Sequence, residues 1–202
     1  MDTYLDGQKL EPASGGIAGV LRGACLTATD TGRILTRVIA DGAPIAAELI
    51  DHPPADDAGI GTLEIFTDDT NEVITESLAG ASEALQAVKL IQQTAAEKIQ
   101  AGQIAEAFEP LGSVLETWGA VREIVGQAGE LANIDIGRLP VGESTGAALI
   151  EDLSVRLGAI REAMAGEDWG GLSDELAYEL GDQAEAWRGL VHAMSAKIDA
   201  KD

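Results

Sequence analysis

Apolar side chains recur at spacings of four and three residues along most of the chain beyond residue 70. Such spacing keeps one face of an α-helix apolar, and a helix of this kind buries that face against other helices. The first predicted helix spans about 70–101 and ends at Gly102, which breaks the pattern. Its apolar face is formed by Ile74, Leu78, Ala81, Leu85, Val88, Ala95 and Ile99.

Three further helices follow with the same period, over about 104–132, 144–165 and 172–198. Pro110 lies inside the second pattern, so that helix either begins late, near Glu109, or kinks. Its predicted apolar face consists of Phe108, Leu111, Leu115, Trp118 and Val125. Four helices of this length joined by short turns predict an antiparallel four-helix bundle over residues 69–202.

The first 68 residues have a different pattern, with short strand-like runs and turn residues. Asp6-Gly7 predicts a hairpin turn, because both central residues of a type I′ turn need positive φ. A helical pattern begins at Ile17, and two β-branched strands follow over residues 33–40 and 61–66, with a second Asp-Gly turn at Asp41-Gly42. The order ββαββ predicts a small β-grasp-like domain over 1–68, and hence an α+β protein.

The charge of the chain narrows the possible partners most. The sequence has 35 acidic and 13 basic residues, which gives a net charge of −22. Phosphate backbones bind Lys and Arg, so we expect neither nucleic acid nor an anionic membrane as a partner. A basic protein partner is one interpretation. Solubility, or adaptation to a saline or GC-rich background, is the simpler one, because the acidic residues are spread over every segment.

Location is predicted from what the sequence lacks. It shows no basic n-region with an apolar h-region, and no apolar run near the roughly 18 residues that span a bilayer. A single cysteine, Cys25, excludes an internal disulfide and fits a reducing compartment. We therefore expect a cytoplasmic protein.

Catalytic and metal-binding patterns are weak. A di-metal site in a helix bundle needs a histidine three residues after a glutamate, and neither His52 nor His192 has one. The loop around His52 is better explained as a solvated segment stiffened by prolines than as a metal site. Cys25 falls on the apolar side of its helix, which predicts a small buried residue. Gly15-Gly16 lacks the lysine of a phosphate loop. We predict no catalytic, cofactor-binding or metal-binding residues.

Large aromatic side chains are the candidate partner-binding residues. Trp118 and Trp187 fall on apolar helix faces, which predicts core packing, whereas Trp169 in a glycine-rich turn is the better candidate for an exposed anchor. Glycines also interrupt the helices at positions 80, 112, 119, 126, 146, 158, 181 and 189. Each is unfavourable by roughly 1 kcal/mol against alanine, so either close helix crossings or a bundle soft enough to rearrange is implied.

Three stretches carry a resemblance: Leu5-Asp6-Gly7, the strand and turn from Gly32-Arg33 to Asp41-Gly42, and the Glu-x-Trp motifs of the long helices. The layout resembles a loose group of uncharacterised bacterial proteins in which a short β-domain precedes a helical region. Some of these are similar to the small acidic helical chaperones of flagellar export. The resemblance implies a helical binding protein, and it implies no catalytic residue.

Two functional hypotheses follow. The first is a non-catalytic adaptor or chaperone-like protein that binds another protein along its helices, or associates with itself. The alternative is a small-molecule-binding protein or enzyme with a pocket between the β-domain and the helical region.

Overall fold

The computed structural model describes residues 1–11, 16–45 and 59–200. The protein has a mixed α+β fold, with a small N-terminal sheet and several C-terminal helices, as predicted. It divides into two compact units, Met1–Val73 and Ile74–Asp202. The domain limits inferred from sequence, 1–68 and 69–202, stay a prediction, and the loop of His52 lies outside the described residues.

The first unit is built on a mixed sheet. Its strands are β1 (Asp2–Leu5), β2 (Gln8–Lys9), β3 (Arg33–Ala40), β4 (Ala43–Pro44) and β5 (Thr62–Asp69). Their order is β2-β1-β5-β3-β4, with β1 parallel to β5 and the other neighbours antiparallel. Helix α1 (Gly16–Asp30) shares a core with the sheet, made of Ile17, Val20, Leu21, Ala24, Val38, Leu63 and Ile65.

Both predicted Asp-Gly turns form, and each is tied to the central strand β5. The φ angles are 48° and 79° at Asp6 and Gly7, and 48° and 83° at Asp41 and Gly42, as a type I′ turn requires. The Asp6 carboxylate accepts hydrogen bonds from the backbone N–H (2.8 Å) and hydroxyl (2.6 Å) of Thr67. The Asp41 carboxylate accepts one from the Thr62 N–H at 2.8 Å.

Asp6→Asn is expected to destabilise the first unit by about 1 kcal/mol, because the carboxylate is half-exposed and its charged hydrogen bonds are partly screened. The hydrogen bonds from Thr67 lower the pKa of Asp6 below its ordinary value of 3.8. A lowered pKa means that the stabilisation is complete above the unfolded-state pKa and disappears as the pH falls through the folded-state pKa. The free energies of unfolding of wild type and variant, measured with urea, should therefore differ at pH 6, and the difference should shrink as the pH falls below 3.8. A difference that stays constant with pH would contradict this assignment.

The second unit contains the long helices. They are α2 (Thr70–Gln100), α3 (Ile104–Leu131), α4 (Gly146–Ala165) and α6 (Leu180–Asp199), with the short α5 (Trp169–Asp174) before α6. A 3₁₀ turn (Ile136–Arg138) and a two-residue hairpin, β6 (Pro140–Val141) with β7 (Ser144–Thr145), join α3 to α4. Apolar residues from all of these helices form one core.

Four sequence expectations need correction. Cys25 is exposed, because α1 buries Ala24 and the next residue lies about 100° further around the helix. Helix α3 begins at Ile104, so the late start near Glu109 is wrong and Pro110 lies inside the helix. Phe108 and Leu115 are exposed instead of lying in the core. The fourth predicted helix is interrupted by a π-turn over Glu175–Glu179.

Candidate protein-binding face

Helix α3 follows a seven-residue repeat at its first, second, fourth and sixth positions. Its 28 residues read IAEAFEP, LGSVLET, WGAVREI and VGQAGEL. The first and fourth positions of these heptads face the core, and the buried residues at these positions are Ala107, Leu111, Val114, Trp118, Val121, Val125 and Ala128. A seven-residue period keeps equivalent positions nearly in line along the helix axis. Each of the remaining five positions of the repeat therefore also forms a row.

Three of these rows form the outer face of α3. The fifth position contributes Phe108, Leu115, Arg122 and Gly129; the second contributes Ala105, Gly112, Gly119 and Gly126; the sixth contributes Glu109, Glu116, Glu123 and Glu130. Successive residues are about 100° apart around a helix, so the second-position row lies between the other two. The outer face is therefore a line of small residues with a glutamate row on one side and, on the other, the row of Phe108 and Leu115, called the apolar row. The apolar row continues with Arg122 and ends at Gly129, which is buried.

The apolar row carries exposed large side chains. Phe108 is 48% exposed and Leu115 is 38% exposed. Phe108 makes an edge-to-face contact with Trp169, with ring centroids 6.5 Å apart and an interplanar angle of 87°. The Asp168 carboxylate accepts a hydrogen bond from Gly171 N–H at 3.0 Å and so caps the short helix that holds Trp169. A second helix thus fixes one end of the apolar row.

The glycines of the middle row have free space in front of them. A Cβ atom added at Gly112, Gly119 or Gly126 would have no neighbour within 4 Å. The expectation that helical glycines allow close crossings is therefore wrong at these positions, and equally at Gly80 and Gly158. A close approach of another kind occurs at Gly146, where an added Cβ would overlap the backbone oxygen of Ile136 in the 3₁₀ turn. Packing within the described residues does not require the three glycines of α3.

The glutamate row gives α3 a strong negative charge. The helix contains five glutamates and one basic residue, Arg122. Glu106, outside the row, pairs with Lys98 at 3.5 Å. Within the part of the chain that the structure describes, no ion pair involves the four glutamates of the row; Glu123 accepts one hydrogen bond, from the side chain of Gln127 at 3.0 Å. Their carboxylates remain available to an external cation.

An open depression continues the outer face at the C-terminal end of α3. Its volume is about 450 Å³, and it is lined by Gly126, Gly129, Glu130, Asn133, Ile134, Asp135 and Ile136. Ile136 fills the space beside Gly129, where a Cβ would meet its side chain. Because the carbonyl end of a helix carries a partial negative charge, this end of the face favours a cation.

No family model, curated protein or solved structure matches the chain. Within the described ranges no helix combines the length and the hydropathy that a bilayer crossing requires. In the same part of the chain, no group of three or more His, Cys, Asp or Glu side chains is arranged to hold a metal ion.

The three tryptophans divide between core and surface. Trp118 and Trp187 are 0% and 1% exposed and pack edge to face with centroids 5.8 Å apart, so the core interpretation of both is confirmed. A partner reaches neither ring while the core stays closed. Trp169 is partly buried instead of open, but it borders the outer face through Phe108. The sequence interpretation missed Phe108 and Leu115 as surface residues, and the heptad of α3 is the signal that identifies them.

A polar cluster elsewhere in the unit has a structural role. Arg156 on α4 pairs with Glu179 at 2.8 Å, and with Asp152 and Glu175 at 3.6 Å each. The Gln183 side chain donates a hydrogen bond to Asp152. One guanidinium thus bridges α4 and the π-turn, and its single positive charge is shared among three carboxylates.

Proposed function

We propose that this protein is a non-catalytic, cytoplasmic adaptor or chaperone-like protein that binds another protein through the outer face of α3. The observation that carries the proposal is the combination of two exposed large apolar residues, Phe108 and Leu115, with a line of glycines that nothing in the described chain covers. Neighbouring exposed apolar side chains that are rimmed by charge mark protein interaction sites.

The finer features of the fold belong to the same proposal. The strand order β2-β1-β5-β3-β4, with parallel central strands, supports a β-grasp-like first domain. Four long helices that share one core support an antiparallel four-helix bundle as the second. A small acidic helical protein with an open helix face suits the role of the flagellar-export chaperones, and we propose a comparable role by analogy. The small-molecule alternative stays a prediction.

The experiment compares capture of partners by two matched double variants of the full chain. Phe108→Asp with Leu115→Asp places charge in the apolar row, whereas Leu90→Asp with Val155→Asp does so at residues that are 71% and 61% exposed on α2 and α4. We expect a specific polypeptide to be captured from source-cell lysate by wild type and by the second variant. Capture by the first should fall at least about tenfold, since interface anchors carry most of the binding energy.

Equal capture by all three proteins, or recovery of no polypeptide other than this chain, would contradict the proposal. Far-UV circular dichroism of both variants serves as the folding control. Because all four substituted side chains are exposed, we expect helical spectra that match wild type.

A further inference from the structure

We propose that the ligand of the outer face is a basic amphipathic helix, lying along the glycine line with its apolar side toward Phe108 and its lysines or arginines toward the glutamate row. This inference rests on the proposed function and adds the chemistry of the partner. It is carried by the placement of three chemically different rows side by side on one exposed helix.

Steric access favours a helix as the occupant. Glycine has no Cβ, so a second backbone approaches α3 closely along Gly112, Gly119 and Gly126. These three residues are 14 positions apart from first to last, or about 21 Å along the axis at 1.5 Å per residue. An amphipathic helix laid in a groove is a recurrent form of peptide recognition, and its apolar anchors recur at three- and four-residue spacing. Phe108 and Leu115 are seven positions apart, or two helical turns, which matches every second anchor of such a helix.

Charge selects a basic partner. A helix in the glycine line has Phe108 and Leu115 on one side and Glu109, Glu116 and Glu123 on the other. Complementary charge across an interface raises the association rate and rejects partners of like charge. Arg122 is the single cation on α3, and it lies in the apolar row, on the side away from the glutamates.

A second copy of this chain fits less well. Each copy carries a net charge of −22, and each would bring its own glutamate row to the contact. Like charges held close together oppose association. In contrast, a lysine or arginine at one end of a basic helix also meets Glu130 and the C-terminal end of α3 at the open depression. The charges therefore favour a different polypeptide.

The test begins with a photo-crosslinking side chain placed at Arg122 in the full chain, within cells of the source organism. The same side chain placed at Val155 on α4 gives the background. The segment crosslinked from position 122 is identified by mass spectrometry and synthesised as a peptide, and its affinity for purified protein is measured by titration calorimetry. We expect a segment with net positive charge and apolar residues at helical spacing, which gains helicity on binding.

Two sets of variants then test the geometry with that peptide. Glu109→Gln, Glu116→Gln, Glu123→Gln and Glu130→Gln together should weaken binding about tenfold or more and flatten its salt dependence. Gly112→Leu with Gly119→Leu fills the glycine line and should abolish binding. Gly80→Leu with Gly158→Leu makes the same change in open space on α2 and α4, and should leave binding unchanged.

The outcomes separate this inference from the proposed function. If the segment is acidic or neutral, or if the glutamate substitutions leave its affinity unchanged, the inference of a basic helix is wrong. The proposed function, a protein-binding face on α3, would still stand. A crosslink to another copy of this chain overturns the inference in favour of self-association. If position 122 captures nothing above the Val155 background, both the inference and the proposed function are wrong.

Discussion

Alanine at Gly112, Gly119 and Gly126 together is expected to raise the free energy of unfolding of the helical unit by about 2–3 kcal/mol. Each glycine lies inside α3, where alanine is favoured by up to about 1 kcal/mol through lower backbone entropy in the unfolded chain. The new methyl groups meet no atom within 4 Å. All three tryptophans belong to this unit, so urea unfolding followed by tryptophan fluorescence measures the change.

Gly146→Ala is the matched control and should have the opposite sign. Its Cβ would overlap the backbone oxygen of Ile136, so we expect a loss of about 1–3 kcal/mol from overpacking. If the triple variant is no more stable than wild type, other atoms occupy the space in front of these glycines in solution. The outer face would then not be open.

Trp118→Ala is expected to destabilise the same unit by about 3–5 kcal/mol, the usual range for removing a buried large aromatic side chain. The ring is fully buried and packs at 85° against Trp187, which in turn donates a hydrogen bond from Nε1 to the Leu149 carbonyl at 3.3 Å. Truncation leaves a cavity between helices that share one core. Urea unfolding followed by far-UV circular dichroism gives the magnitude.

Trp169→Ala provides the comparison for Trp118→Ala. Trp169 is only partly buried against the core and meets the edge of Phe108, so we expect a smaller loss, of about 1–2 kcal/mol. Equal losses from the two substitutions would mean that the division between a core pair and a face residue is wrong.

Helix α2 shows what a period alone can predict. Its predicted apolar residues are all buried, because a spacing of four and three places them in one line facing the core. The helix bounds also agree within a residue. The same line contains Gln92, which is 1% exposed. The apolar pattern does not include it among the core residues, because its side chain is polar. A pattern of hydrophobicity identifies a helix face, but it passes over polar residues that lie on that face.

Helix α3 shows where hydrophobicity misleads. Large apolar side chains predict that Phe108 and Leu115 lie in the core, yet the smaller residues at the fourth heptad position, beginning with Ala107, occupy it instead. Two choices of phase fit a sequence rich in both alanine and leucine, and only packing against the other helices decides between them. The hydrophobic pattern does not reveal the candidate face for this reason, since it places the two apolar residues of that face in the core.

The π-turn at Glu175–Glu179 marks the other departure. Leu172, Leu176 and Leu180 fit an unbroken helical spacing, so the sequence indicated one helix where the structure has two with a wider turn between them. The side chains that hold this turn are the distant partners on α4, above all Arg156. Interactions between residues about 20 positions apart leave no local trace in a hydrophobic pattern.

A π-turn is in effect one extra residue accommodated inside a helix. Chains shorter by a single amino acid within Glu175–Glu179 would close this turn into an ordinary helical one. Because a π-turn takes up its extra residue locally, the stretch before it would keep its orientation about the helix axis. Leu172 would stay in the interior and Trp169 beside Phe108. The loss of one residue here is therefore compatible with the rest of the fold, and it would first alter the spacing of Glu175 and Glu179, the partners of Arg156.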